Sequence, residues 1–141
     1  MSVDREVVTR RLVSMRQLLD HLDTLDIRSP EALDDMAVRL QVERILTQLV
    51  NLAVEINAHV AVAALQRPPE DYRDGFDRMV EAHFLDPDTA RELKPSVGLR
   101  NVLTHEYVRV DLDVVARAVP AALTGYRDYV RQVARALSPA P

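Results

Sequence analysis

An uninterrupted helix-favouring segment runs from Glu31 to Leu65, and neither glycine nor proline occurs in it. Its apolar residues recur every three or four positions, the spacing that lines one face of an α-helix: Leu33, Met36, Leu40, Ile45, Leu49, Leu52, Ile56 and Val60. Ser29 and Pro30 before it are a typical helix start. The pattern predicts a short leading helix that runs into a long one. Because LVNLAVEINAHVAVAAL is apolar on more than one face, the long helix should be central and buried on several sides.

The segment before this core predicts one more helix. Ser2 is placed to act as its N-cap, with Asp4 and Glu6 in the first turn, where acidic side chains favour the helix dipole. Apolar residues then follow at helical spacing: Val8, Leu12, Met15, Leu18, Leu19, Leu22 and Leu25. We therefore expect a first helix that packs one apolar stripe against the rest of the protein.

Capping residues and prolines mark three helices after residue 66. Asp71, Asp86 and Asp111 each stand at a predicted helix start. Pro95 should end or kink the second of these helices, because proline cannot donate to the preceding turn. Pro120 is expected to kink the last one, which runs to about residue 137. The prediction is a single all-α domain over residues 1–141, a helical bundle of four to six helices with a frayed tail at 136–141.

Composition narrows the class of protein. The 141 residues contain no cysteine, so disulfides and thiolate metal sites are not expected. The charged N-terminus does not resemble a signal peptide, and we expect a soluble, cytoplasmic protein without a membrane partner. The net charge of −4 argues against a cationic nucleic-acid clamp, and no DNA partner is expected.

The stretch LRNVLTHEYVRVD, residues 99–111, gathers the side chains that could do chemistry. On an ideal helix with roughly 100° per residue, its hydrogen-bonding side chains share an arc of about 160°; they are Arg100, Asn101, Thr104, His105 and Tyr107. The apolar residues at positions 99, 102 and 103 lie on the other side and should pack on the bundle. Because the apolar residue at 108 would enter the polar arc, the helix should end near position 106.

Arginine and histidine on one arc fit the cleavage of a phosphodiester without a metal ion. A guanidinium is a permanent cation whose planar fork suits phosphate oxygens, and imidazole can accept or donate a proton near neutral pH. A ribose 2′-hydroxyl would attack the adjacent phosphorus while Arg100 stabilises the phosphoryl oxygens and His105 moves the proton. One arc offers a single histidine, so a homodimer with two facing arcs would supply both a base and an acid.

A structural interpretation of these histidines is also open. An Arg-x4-His spacing alone is common, and a histidine near a helix end more often caps carbonyl groups than catalyses. We expect His21, His59 and His83 to be satisfied surface or core residues. HEYVR begins like an HExxH zinc motif, but Arg109 stands in place of the second histidine, so no metal site and no cofactor are predicted.

Residues 100–107, RNVLTHEY, fit the R-x4-6-H-x-Y signature of the HEPN superfamily, and the chain most resembles HepT-like toxins from about Val3 to Ala136. The resemblance implies an all-α homodimer with its two motifs facing across a cleft. It also implies a metal-independent endoribonuclease with Arg100 and His105 as catalytic residues.

The same resemblance implies supporting roles at the site and a protein partner. Asn101, Thr104 and Tyr107 would support the site or bind RNA. The expected partner is a minimal nucleotidyltransferase antitoxin, and Tyr107 matches the tyrosine that some of these enzymes modify with AMP. Pro95 and Ser96 stand where relatives continue a helix, which predicts that the motif helix starts afresh after them.

Two other classes of function remain open from the sequence. In one, the polar cleft binds a nucleotide or the nucleotidyltransferase without catalysis, a hypothesis that the acidic net charge favours. In the other, the chain is a purely structural helical dimer, which leaves the clustering of Arg100, Asn101, His105 and Tyr107 without an explanation.

Overall fold

The computed structural model describes residues 2–105 and 110–138, and these residues form helices and connecting loops with no β-strand. The α-helices are α1 (Arg5–Thr24), α2 (Met36–Leu65), α3 (Tyr72–Glu81), α4 (Pro87–His105) and α5 (Leu112–Leu137), with a short 3-10 helix at Pro30–Leu33. The predicted all-α fold and the number of helices are confirmed. Residues 139–141 lie outside the described part, so the frayed tail stays a prediction.

The long helix α2 is the centre of the bundle, as its sequence predicts. Its buried side chains come from several faces and include Leu49, Ile56 and Val60. The only strongly polar side chain buried on it is Asn57, whose Oδ1 accepts a hydrogen bond of 2.6 Å from the Tyr129 hydroxyl of α5. α2 is also long and apolar enough to cross a membrane by length and composition, but half of its most apolar window is buried inside the protein.

Contacts between helix ends define the directions in the bundle. Asp4, just before α1, donates its backbone N–H to the imidazole of His59 near the end of α2, and His21 near the end of α1 contacts Gln41 near the start of α2. α1 and α2 are therefore antiparallel. α4 is antiparallel to α5 in the same way, because residues near its start contact Gln132 and its middle contacts Tyr126.

Aspartates begin most of the helices, with one change from the prediction. The Asp4 carboxylate, and not Ser2, caps α1 by accepting the N–H groups of Glu6 and Val7. A carboxylate cap two residues later satisfies the first free amides directly, so the helix begins at residue 5. The predicted caps Asp71, Asp86 and Asp111 each accept a backbone N–H in the first turn of the following helix.

α4 is continuous through Pro95, so the prediction that the motif helix starts afresh is wrong. Pro95 is exposed, while its neighbours Leu93 and Val97 are buried against the core on either side of it. Ser96 reinforces this packing, because its hydroxyl donates to the Leu93 carbonyl oxygen at 2.6 Å and contacts the Tyr126 hydroxyl at 2.7 Å. Tertiary packing on one face therefore outweighs the backbone hydrogen bond that the proline removes on the other.

We expect Pro95→Ala to raise the free energy of unfolding by about 1–3 kcal/mol, because alanine restores the N–H that bonds the carbonyl oxygen of Arg91. Urea unfolding followed by circular dichroism measures the change. Pro68→Ala is the matched control, since Pro68 is exposed in the loop after α2 and should not gain stability. A Pro95→Ala protein that is no more stable than wild type would contradict this account of α4.

Candidate active site

The last turn of α4 extends past the start of α3. The two helices are antiparallel: Lys94 pairs with Asp77 at 2.7 Å, and further along α4 residues 98 and 100 lie beside the first two residues of α3. Beyond that point α3 no longer covers α4. Asn101 and His105 are accordingly exposed.

The exposed polar arc continues a face of α4 that is buried earlier in the helix. On an ideal helix, Ala90, Leu93 and Val97 lie roughly 80°, 20° and 60° from Arg100, and all three are buried. Thr104 and His105, at roughly 40° and 140°, extend the same arc beyond the cover of α3. The residue types therefore change from apolar to polar where the neighbouring helix stops.

Arg100 is held by uncharged groups from three helices. Its Nε donates to the Asn51 side-chain oxygen of α2 at 3.0 Å, and Nη1 donates to the Asn101 side-chain oxygen at 3.3 Å. Its guanidinium carbon lies 5.8 Å from the ring centroid of Tyr72 in α3, a cation–π contact. Within residues 2–105 and 110–138 no carboxylate pairs with Arg100. The side chain is positioned while its positive charge stays available to an anion.

His105 and Thr104 occupy different environments at the end of α4. His105 is the last residue of α4, as the predicted helix end near 106 requires, and its imidazole is exposed. The Thr104 hydroxyl donates to the Arg100 carbonyl oxygen at 2.8 Å, so its proton is used within the helix. Tyr107 lies outside the described residues, and its predicted role stays a prediction.

The apolar residues of the segment divide between two environments. Leu99 and Leu103 pack against the core as predicted. Val102 is 42% exposed, so the prediction that it packs on the bundle is wrong. Its direction on the helix points away from α2 and α5, and α3 has already ended its cover of α4 at this level.

Asn51 and Tyr72 are site residues that the motif alone does not reveal. Asn51 is one of few polar residues in the apolar second half of α2, which is the signal that could have marked it. Tyr72 is 47% exposed at the start of α3, unusual for an aromatic side chain in a protein with so few of them. Neither its position next to Arg100 nor that of Asn51 follows from sequence spacing.

The other histidines have structural surroundings. His59 accepts the Asp4 backbone N–H at 3.0 Å, and His21 contacts the Gln41 side chain at 2.8 Å, which confirms the prediction for both. His83 is exposed in a turn with a left-handed backbone (φ 65°) after α3. In the described part of the chain no three His, Asp or Glu side chains are grouped so that they could hold a metal ion.

An apolar cleft of about 190 Å³ lies on the other side of Arg100, between α2, α4 and α5. Val50, Leu99 and Ala118 contribute to its walls, and Arg100 lies at its edge. The aliphatic stem of Arg100 therefore separates an apolar surface from the polar arc that carries Asn101 and His105.

A model of one protein family, described as ribonuclease HepT-like, matches residues 7–133. The chain belongs to the ribonuclease HepT-like family. It is 30% identical over 133 residues to a tRNA nuclease HepT of Aphanizomenon flos-aquae, an alignment that covers 94% of this chain and 90% of that protein. It is 26% identical over 94 residues to an mRNA nuclease HepT of Shewanella oneidensis, covering 67% of this chain and 68% of the relative.

Solved structures share the HepT-like fold at low sequence identity. A tri-AMPylated Shewanella oneidensis HEPN toxin in complex with MNT antitoxin superposes with a TM-score of 0.83 at 17% identity, over 94% of this chain and 99% of that one. The cytosolic protein YutE of Bacillus subtilis, of unknown function, superposes with a TM-score of 0.82 at 20% identity, over 99% of this chain and 96% of that one. The predicted resemblance to HepT-like proteins is thereby confirmed.

Proposed function

We propose that this HepT-like protein is the toxin of a toxin–antitoxin pair and cleaves RNA as a metal-independent endoribonuclease in the cytoplasm. The carrying observation is Arg100, a positioned guanidinium without a carboxylate partner in the described residues, about one and a half helical turns from the exposed His105. The rise between them along α4 is about 7.5 Å, so both can reach one phosphodiester group.

The chemistry proposed for this pair is an in-line transfer within the RNA. The ribose 2′-oxygen attacks the adjacent phosphorus and gives its proton to an imidazole of His105, and the bond from phosphorus to the 5′-oxygen breaks. A protonated imidazole returns a proton to the leaving oxygen. The products are a 2′,3′-cyclic phosphate and a 5′-hydroxyl. Arg100 stabilises the negative charge on the non-bridging phosphoryl oxygens.

Asn101, Thr104 and Tyr107 have supporting roles in this proposal. Asn101 holds the guanidinium of Arg100 and can contact the RNA from its exposed face. Thr104 fixes the last turn of α4 through its bond to the Arg100 carbonyl oxygen. Tyr107 is the proposed site of AMP addition, which would block RNA by bulk and by negative charge.

The comparisons support the choice of substrate and partner. Two relatives carry the names tRNA nuclease and mRNA nuclease, and both substrates are RNA. A protein with the same fold is AMPylated and bound to an MNT antitoxin. We therefore propose a minimal nucleotidyltransferase antitoxin as the partner of this chain.

The proposed active form is a homodimer, because one chain places a single histidine at the site while the reaction needs a base and an acid. Exposed apolar side chains near the site support pairing. Met36 and Leu40 on α2 are 62% and 56% exposed, and on an ideal helix they lie within roughly 60° and 20° of Asn51, the residue that holds Arg100. Burying such a stripe against a second copy would bring two sites together.

Arg100→Ala and His105→Ala should each lower the rate of RNA cleavage by at least about 100-fold while the proteins stay folded, because each removes a group that acts only in the transition state. The assay is cleavage of bulk RNA and of transfer RNA in excess EDTA, with the RNA ends analysed for cyclic phosphate and the intact mass of each protein measured. Arg16→Ala on α1 is the control, since α1 contacts neither α3 nor α4.

The outcomes separate the proposal from its alternatives. Cleavage that persists in both variants would mean that another nuclease is present. Wild type that binds nucleotide or the nucleotidyltransferase but leaves RNA intact would favour the non-catalytic binding module. Intact RNA together with an added AMP mass on Tyr107 would indicate the silenced toxin, which removal of the AMP should activate.

Tyr72→Leu should lower kcat/KM for RNA cleavage about two- to fivefold, because the cation–π contact that positions Arg100 contributes about 0.5–1 kcal/mol at an exposed site. Tyr72→Phe keeps the ring and should keep the activity. Initial rates at several RNA concentrations measure both variants. Equal losses in the two would contradict the cation–π role and point to the tyrosine hydroxyl.

Leu40→Glu should convert the dimer to a monomer and abolish cleavage, because a buried unpaired charge in each copy opposes association. Light scattering coupled to size exclusion measures the mass, and circular dichroism checks the fold. Val13→Glu is the control, since Val13 is 49% exposed on α1. A Leu40→Glu protein that remains dimeric and active would place the interface elsewhere.

A further inference from the structure

Arg73, the second residue of α3, lies against α4 where that helix has no side chain. A Cβ atom built at Gly98 would be 3.0 Å from Arg73 Nη2. Any larger residue at position 98 would push the guanidinium away. Gly98 therefore provides the space in which Arg73 lies along the surface of α4, while Arg73 itself stays exposed.

The charge of Arg73 is not neutralised by an ion pair in the part of the chain that the structure describes. Nine arginines and Lys94 have carboxylate partners there, whereas Arg73 and Arg100 have none. Arg73 is also in the first turn of its helix, where the helix dipole disfavours a cation. Stability of the fold does not explain a guanidinium at this position.

The position of Arg73 relates it to His105. On an ideal helix Gly98 and His105 are separated by roughly 20° around the axis and about 10 Å along it, so they share one face of α4. Asn101 lies between them on the same side and is exposed. A single RNA strand following this face from His105 would reach Arg73 within a few nucleotides.

We propose that Arg73 binds a backbone phosphate of the RNA next to the scissile phosphodiester, with Gly98 as the residue that gives it room; this rests on the proposed ribonuclease function. Arg73 and Gly98 would form a binding subsite separate from the reacting pair. The contact is to phosphate, so it adds affinity for RNA of any sequence and depends on salt. It also gives an acidic protein a local pair of cations, Arg73 and Arg100, at the place where RNA must bind.

The test measures binding of a short fluorescein-labelled single-stranded RNA by anisotropy in the non-cleaving His105→Ala protein. Arg73→Ala should weaken binding about three- to tenfold, and the slope of log affinity against log salt should become shallower by about 0.7 for each phosphate that the protein no longer neutralises. Arg5→Ala is the matched control: Arg5 is exposed in the first turn of α1, has no ion pair in the described chain, and lies on a helix that does not contact α4.

Gly98→Ala tests the same subsite without removing a charge. The clash falls on the far end of a flexible side chain and alanine favours a helix, so the fold should be unharmed. Gly98→Ala should weaken RNA binding when Arg73 is present and have no effect in the Arg73→Ala background. Arg73→Ala binding no weaker than Arg5→Ala, or an equal Gly98→Ala effect in both backgrounds, would overturn the subsite. Wild type that neither binds nor cleaves RNA would instead overturn the ribonuclease function and the subsite with it.

Discussion

The guanidinium of Arg100 is held by an amide oxygen from α2, an amide oxygen from α4 and an aromatic ring from α3. Each of these groups orients the cation without cancelling its charge, which a carboxylate partner would do. The three helices must keep their relative positions for this arrangement to persist. The buried contacts between α2, α4 and α5, including the Asn57–Tyr129 and Ser96–Tyr126 pairs, maintain that geometry.

The site exists because α4 is longer than its cover. The arc that packs Ala90, Leu93 and Val97 into the core becomes a solvent-facing polar surface once α3 has ended. Burial along the first part of α4 holds the helix straight enough to continue through Pro95, and the last turn then carries Arg100 and His105 on a rigid element. A site on a helix anchored in the core is more precisely positioned than one on a loop.

Periodicity and capping predict most of the fold. The long core helix, the leading 3-10 turn and the caps at Asp71, Asp86 and Asp111 depend on local physics and are found where expected. The prediction at Pro95 is wrong because packing from distant residues decides whether a proline ends a helix. For the site, spacing groups Arg100 with Asn101 and His105, but Asn51 is 49 residues away from Arg100 in sequence, and only the folded chain brings them together.

The most direct test of a site shared by two copies is a subunit-mixing experiment with wild type and His105→Ala. The two proteins are unfolded in urea together, refolded at defined ratios, and assayed for RNA cleavage in EDTA at constant total protein. If each cleavage needs one histidine from each copy, activity follows the square of the wild-type fraction and is about one quarter of full activity in an equal mixture. Activity of about one half, proportional to the wild-type fraction, would show that each copy cleaves on its own and would contradict the shared site.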